Sequence, residues 1–145
     1  MKVIVQRAKN AKVEIDNKIV GTIDNGLMLL VGFTHKDTEK EIDYMVNKVQ
    51  NLRIFDDEEG VMNKSLKDIN GEILSVSQFT LYGDTKKGNR PSYINAMNPE
   101  EATKLYDLFN EKLRNQNIKV ETGVFGADMK VSFTNDGPVT IILEK

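Results

Sequence analysis

The sequence predicts an α+β domain, a mainly antiparallel sheet or partly closed barrel carrying two principal helices. Three observations lead there. Short apolar alternations crowd both ends of the chain, two amphipathic stretches with helix-start signals stand between strands, and no strand–helix unit repeats. No Gly-rich strand-to-helix turn is present either, which argues against a dinucleotide or P-loop site.

Taken in order, Val3 and Val5, then Val13 and Ile15, then Ile19 and Ile23 read as successive short strands of a meander, with a polar turn around Asp16-Asn17. Asn25-Gly26 is the strongest hairpin signal, because both central positions of a type I′ turn need positive φ. The unbroken run Leu27-Met28-Leu29-Leu30-Val31 behind it predicts a central strand buried on both faces. Thr38 with Glu41 forms a capping box ahead of Ile42, Met45, Val46, Val49 and Leu52, which predicts a first helix over 39–52. Asn98-Pro99-Glu100-Glu101 combines an N-cap with a first-turn proline, and the stripe Ala102, Leu105, Phe109, Leu113 extends a second helix over 99–115. Strands are predicted over 73–81, near 119–121, over 129–134 and over 139–143.

The 145 residues suit one domain over 1–145, with 39% hydrophobic residues spread evenly and no linker-like segment. No signal-peptide pattern and no bilayer-length apolar run occur, so a cytoplasmic protein without membrane partners is expected. The absence of cysteine removes disulfides, thiolate nucleophiles and Cys-based zinc sites, and the single histidine removes His-pair metal motifs. Neither a metal nor another cofactor is expected. A net charge of −2 argues against a protein that coats long nucleic acid, and no DNA partner is expected, since such affinity rests on many phosphate contacts. The tightest basic cluster, Lys86, Lys87 and Arg90, has two readings: a solvated loop, or a local contact with the phosphates of a strand end.

Two segments place polar groups where burial is otherwise expected. After the apolar start Ile73-Leu74, the segment Ser77-Gln78-Phe79-Thr80-Leu81 puts hydroxyls and an amide on both faces of its strand. These groups either bond to backbone at a strand end or line a pocket. Asn135-Asp136-Gly137-Pro138-Val139-Thr140 has an ordinary turn composition, but Gly137-Pro138 is an X-Pro bond, the kind for which a cis form is accessible.

Together, the two segments resemble the signature motifs of D-aminoacyl-tRNA deacylases. Supporting matches lie in Gln6-Arg7-Ala8, Asn51 to Phe55, Lys87 to Ser92 and Phe125 to Met129, in the family's order and spacing; Tyr93 replaces a frequent Phe. The resemblance implies a homodimer acting on the acceptor 3′ end of aminoacyl-tRNA. Gly137 and Pro138 would reach into the partner's pocket, where a cis bond holds the substrate α-amino group and excludes an L side chain. Arg7 would support that motif from beneath. Glycine has no side chain to exclude, so mischarged glycyl-tRNA would also be hydrolysed.

An ester needs less help than an amide, and no catalytic triad is required. The resemblance places Ser77, Gln78, Phe79 and Thr80 at the reacting ester, with the Phe79 N–H and Ser77 stabilising the oxyanion, one such donor being worth about 3 kcal/mol. Water activation has two models, Thr80 as nucleophile or relay, and the substrate 2′-OH. The ribose is favoured because no base stands beside Thr80 in the sequence and the 2′-OH arrives next to the scissile ester. Gln78 would orient Thr80 or the water, or simply pack. His35, the only imidazole, lies outside both motifs and is not read as catalytic. Phe125 is either a stacking platform for the terminal adenosine or a core residue. Two rivals remain: a non-catalytic binding module, and a related deacylase whose trans Gly-Pro bond admits L-alanyl substrates.

Overall fold

The computed structural model describes residues 1–145. Two long strands, β1 (Lys2–Ile15) and β2 (Lys18–Gly32), form an antiparallel hairpin. Its turn is Asp16-Asn17, with φ of 49° and 61°, so these two residues adopt the left-handed conformation that a two-residue turn demands. The expected hairpin at Asn25-Gly26 is not formed, and the expected meander of short strands is this one hairpin. Asn25 and Gly26 lie inside β2, opposite Lys9 and Ala8. Gly26 serves close approach instead: a Cβ there would stand 1.9 Å from the Glu72 carbonyl oxygen of the neighbouring strand.

Helix α1 (Glu39–Asn51) begins with the complete Thr38–Glu41 capping box, and α2 (Pro99–Arg114) with Asn98 accepting from the Glu101 N–H at 3.0 Å. Between the helices come a two-stranded ribbon, β3 (Phe55–Asp56) and β4 (Met62–Lys64), and then β5 (Glu72–Ser77). The expected strand over 73–81 therefore stops at Ser77, because Phe79–Tyr82 winds into a 3-10 turn. The chain closes with β6 (Val120–Thr122) and β7 (Lys130–Glu144). Asn135 to Pro138, expected between two strands, falls within this single strand.

The five-stranded sheet has the order β6-β5-β2-β1-β7 and is open at both edges, so it is not a closed barrel. The β1–β2 and β1–β7 pairs are antiparallel, whereas β2–β5 and β5–β6 are parallel. β2 is central, and Leu27, Met28, Leu29 and Val31 are buried on its two faces, as the apolar run predicts.

One face of the sheet packs against both helices. Val3, Val5, Leu27 and Leu29 meet Ile42, Met45, Phe109 and Leu113 there, each fully buried side chain contributing about 2–3 kcal/mol. A second, smaller core gathers Ala8, Ala11, Val13, Ile23, Met28, Leu74 and Val76 on the other face. The inward parity of β1 changes between Ala8 and Ala11, where Asn10 takes φ 50° and the ladder shifts register. Residues of both cores line one cavity, among them Phe33 and Met97 of the first and Val76 of the second. No helix is long and apolar enough to cross a membrane.

Candidate active site

The polar segment that follows β5 is shaped by the end of a parallel ladder. Ile73 to Val76 are buried, and the Gln78 N–H makes the closing bond to the Val31 carbonyl at 2.7 Å. The chain then tightens into the 3-10 turn, with Leu81 N–H on the Gln78 carbonyl at 3.3 Å and Gly83 N–H on the Thr80 carbonyl at 3.0 Å. Phe79 and Thr80 occupy the first positions of that turn, where the helical pattern itself supplies no acceptor for an N–H. A strand end thus offers backbone donors beside two hydroxyls.

Ser77, Gln78 and Phe79 line a mainly apolar cavity of about 580 Å³ at the carboxyl ends of the parallel strands β2 and β5. That is the general position of ligand crevices beside parallel strands. Phe79 is 56% exposed and meets Tyr93 edge-on, with ring centroids 5.0 Å apart. Tyr93, Ala96 and Met97 form another wall, and Asn98 and Pro99 bring the start of α2 to its rim. Phe125 lines the cavity and packs on Tyr106 with ring centroids 6.1 Å apart, so this half-buried ring belongs both to the edge of the core and to the cavity wall. Burial pushes the Tyr106 phenol above its ordinary range, and the hydroxyl donates to the Ser75 carbonyl at 2.8 Å.

Thr80 does not line the cavity. Its hydroxyl is exposed and accepts from the Gln78 carboxamide, and neither a carboxylate nor the imidazole is bonded to it. His35 is engaged elsewhere, with Nε2 on the Ile94 carbonyl at 2.6 Å. Lys86, Lys87 and Arg90 stand in an exposed loop closed by the Asp84–Ser92 backbone pair and do not border the cavity. No group of three or more His, Cys, Asp or Glu side chains converges in a way that could hold a metal ion.

The second motif forms a separate construction on the edge strand. Gln6 pairs with Thr140 and Ala8 with Asn135, so Arg7 alone faces the arch Asp136-Gly137-Pro138-Val139. Asn135 closes the base of this arch, its Oδ1 accepting from the Val139 N–H at 2.9 Å and its Nδ2 donating to Thr140 Oγ1 at 3.1 Å. Beneath it, Arg7 is buried and donates from Nε to the Asp136 carbonyl at 2.8 Å and from Nη1 to the Ile54 carbonyl at 3.0 Å and Asp56 Oδ1 at 3.1 Å. The planar guanidinium suits this task, since it presents several fixed donors at once. Gly137 has φ +134°, and a Cβ there would meet Arg7 Nη2 at 3.0 Å and Val139 Cγ2 at 2.9 Å. The Gly137–Pro138 bond, whose isomer the sequence left open, is cis.

Gly137 and Pro138 do not line the cavity of their own chain. The sequence motifs therefore converge as two clusters, Ser77 to Phe79 with Phe125, and Gly137-Pro138 with Arg7. Three contributors escaped the sequence reading: the wall Tyr93 to Met97, the α2 start at the rim, and the Ile54–Asp56 acceptors of Arg7. The Asn98-Pro99 cap announced a helix start, but nothing local announced which cavity that start would face.

The D-Tyr-tRNA(Tyr) deacylase family model matches residues 4–144. A D-aminoacyl-tRNA deacylase of Brevibacillus brevis is 59% identical over 144 residues, covering 99% of each chain, and that of Bacillus cytotoxicus is 57% identical with the same coverage. Among solved structures, a c-Myc DNA unwinding element binding protein aligns with a TM-score of 0.94 and 44% identity, covering 100% of this chain and 99% of that one. A structure described as a probable eukaryotic D-amino acid tRNA deacylase aligns with a TM-score of 0.84 over 98% of this chain and 97% of its own, and at 20% identity it speaks for the fold. With the family model spanning nearly every residue and both motifs in place, the chain belongs to the D-Tyr-tRNA(Tyr) deacylase family, a family of hydrolytic enzymes.

Proposed function

We propose that this D-aminoacyl-tRNA deacylase hydrolyses the ester at a cavity floored by Ser77, Gln78 and Phe79, and takes its chiral filter, Gly137-Pro138, from a second copy of the chain. One observation carries the reading. The Gly-Pro arch lies outside its own chain's cavity, on edge strand β7, none of whose fifteen residues is buried and whose Ile142 is 66% exposed. A long edge strand with so little cover is suited to association. A homodimer places each arch at the other subunit's cavity, and sedimentation is expected to return twice the 16.4 kDa chain mass.

The cavity's volume of about 580 Å³ suits an aminoacyl group with part of a nucleoside. The Phe79 N–H, at the open start of its turn, and the Ser77 hydroxyl stabilise the oxyanion as water adds to the ester carbonyl. The substrate 2′-OH, adjacent to the scissile ester, assists that water; Thr80 is exposed and has no base bonded to it. Phe125 offers the terminal adenine a face, and Lys86, Lys87 and Arg90 receive acceptor-stem phosphates.

With the α-amino group and ester carbonyl pinned, a D side chain points outward while an L side chain meets the backbone of the arch. Side-chain identity matters little in such a filter, and glycine passes it, so mischarged glycyl-tRNA is a second substrate. The enzyme works on charged tRNA in the cytoplasm. The test compares release from D-tyrosyl-tRNA and L-tyrosyl-tRNA by the wild type and Gly137→Ala. Rapid release of the D ester alone is expected from the wild type, with discrimination or rate reduced in the variant. Equal release of both esters by the wild type overturns the filter, and no release of the D ester overturns the function.

A further inference from the structure

One wall of the cavity is anchored in the core only at its far end, Met97, and takes most of its remaining support from polar bonds to a neighbouring turn. Every residue from Thr85 to Asn95 is exposed, and Ile94 is 77% exposed, so the strap leading to Met97 has little apolar burial to define its position. It nevertheless carries Tyr93, which lines the cavity and packs edge-on against Phe79.

Successive residues of the 33–35 segment grip this strap. The Phe33 carbonyl accepts from the Met97 N–H at 3.0 Å, Thr34 Oγ1 donates to the Asn95 carbonyl at 2.6 Å, and His35 Nε2 donates to the Ile94 carbonyl at 2.6 Å. The gripping segment is itself braced, since Asp37 Oδ2 accepts from the Thr34 N–H at 2.7 Å and the Asp37 N–H returns to the Thr34 carbonyl at 3.0 Å. Two side chains on a closed turn therefore reach out to two consecutive carbonyls of an otherwise loosely covered segment. A carbonyl can only accept, so Nε2 carries the proton and the imidazole acts here as a hydrogen-bond donor.

We propose that Thr34 and His35 are positioning residues which latch the Tyr93–Met97 strap over the cavity and thereby set the affinity for the aminoacyl end of the substrate. The proposal rests on the cavity being the ester site. It gives the only imidazole in the chain a role through Ile94 and Tyr93, away from the reacting atoms. Releasing the latch loosens Tyr93, and with it the contact that orients Phe79, but leaves the strand-end donors in place.

The experiment uses full-length Thr34→Val, His35→Ala, the double variant, and His35→Gln, whose amide donor reaches about as far as Nε2. Steady-state release from D-tyrosyl-tRNA is measured alongside hydrogen exchange resolved by peptide. The double variant is expected to raise KM about tenfold with kcat within about twofold, a size set by one or two ordinary hydrogen bonds. Exchange is expected to quicken over 93–97 while β1, β2 and β5 stay protected, and His35→Gln is expected to restore most of the KM. Unchanged exchange over 93–97 shows that no latch exists, and quickened exchange with unchanged KM shows that the latch does not serve the site; either result overturns the proposal. A fall in kcat at constant KM overturns it too. If the double variant does not fold, the two single variants carry the same test. Failure of the ester-site reading is recognised separately, as absence of release by the wild type, and the exchange measurement then still decides whether the latch is present.

Discussion

Arg7 Nε donates to the Asp136 carbonyl at 2.8 Å across a break in the β1–β7 ladder, where a single residue of one strand faces four of the other. The guanidinium fills a gap that backbone pairing leaves open, and it also reaches the Ile54 carbonyl and the Asp56 carboxylate. Arg7→Ala strands the buried Ile54 acceptor and the part-buried Asp136 carbonyl, and a loss of roughly 2–3 kcal/mol is expected in chemical denaturation. Arg7→Lys is expected to recover less than half of that, because an ammonium cannot serve the same acceptors in one plane. Release from D-tyrosyl-tRNA should fall at least about tenfold in both variants. Wild-type stability in Arg7→Ala would remove the keystone role.

Gly26 has φ +153° and packs onto the backbone of Glu72, where a Cβ would sit 1.9 Å from the carbonyl oxygen and 2.6 Å from the nitrogen. Gly26→Ala must separate the start of β5 from β2, and β5 leads directly into Ser77. A destabilisation above roughly 3 kcal/mol is expected, or failure to fold. A thermal midpoint equal to that of the wild type would show that the strands part without cost.

Thr80→Ala distinguishes the two models of water activation. With the 2′-OH assisting, the variant is expected to keep its rate within about tenfold of the wild type, since only the Gln78 contact is lost. The same enzyme offered a charged tRNA ending in 2′-deoxyadenosine should lose far more. Abolished release by Thr80→Ala with tRNA binding intact would transfer the role to the threonine.

Reversal of charge at Lys86, Lys87 and Arg90 should weaken binding of charged tRNA and flatten its salt dependence, while release from a short D-aminoacyl-adenosine stays within about twofold. These residues lie apart from the cavity lining, so an equal loss on both substrates would contradict a purely phosphate-directed loop.

Hydrogen bonds hold three carboxylates near the surface below their ordinary values: Glu41 chiefly through the Thr38 hydroxyl, Asp57 through the Val61 N–H, and Asp68 through the Ser65 N–H. A lowered value in the folded state means that the unfolded chain binds more protons as the solution acidifies. Their contribution is fully present above the ordinary values of 4.5 for glutamate and 3.8 for aspartate and is lost as pH falls through the lowered ones. The urea midpoint should therefore be level above that range and decline below it, and Glu41→Gln should remove part of the decline. An unchanged slope in Glu41→Gln would deny the capping box its share.

Much of the architecture was legible in local chemistry. The Thr38–Glu41 box and the Asn98-Pro99 cap determine where the two helices begin, because capping is decided within four residues. The central run Leu27 to Val31 determines a strand buried on both faces for the same local reason, an apolar pattern that no half-exposed strand can carry. The paired motifs around Ser77 and Gly137 identified the family. What the tertiary structure alone decided is long-range. The turn at Asp16-Asn17 was legible, but the second hairpin at Asn25-Gly26 does not form, because the pairing of Lys9 with Asn25 and the close approach of Glu72 outweigh a local turn preference. The cavity also depends on contacts between distant segments: β5 stopping beside Val31, the strap gripped by Thr34 and His35, and Phe125 turned onto Tyr106. Spacing along a chain records helix and strand periods, but not which carbonyl an arginine at position 7 meets near position 136, since that partner is chosen only when the edges of a sheet come together.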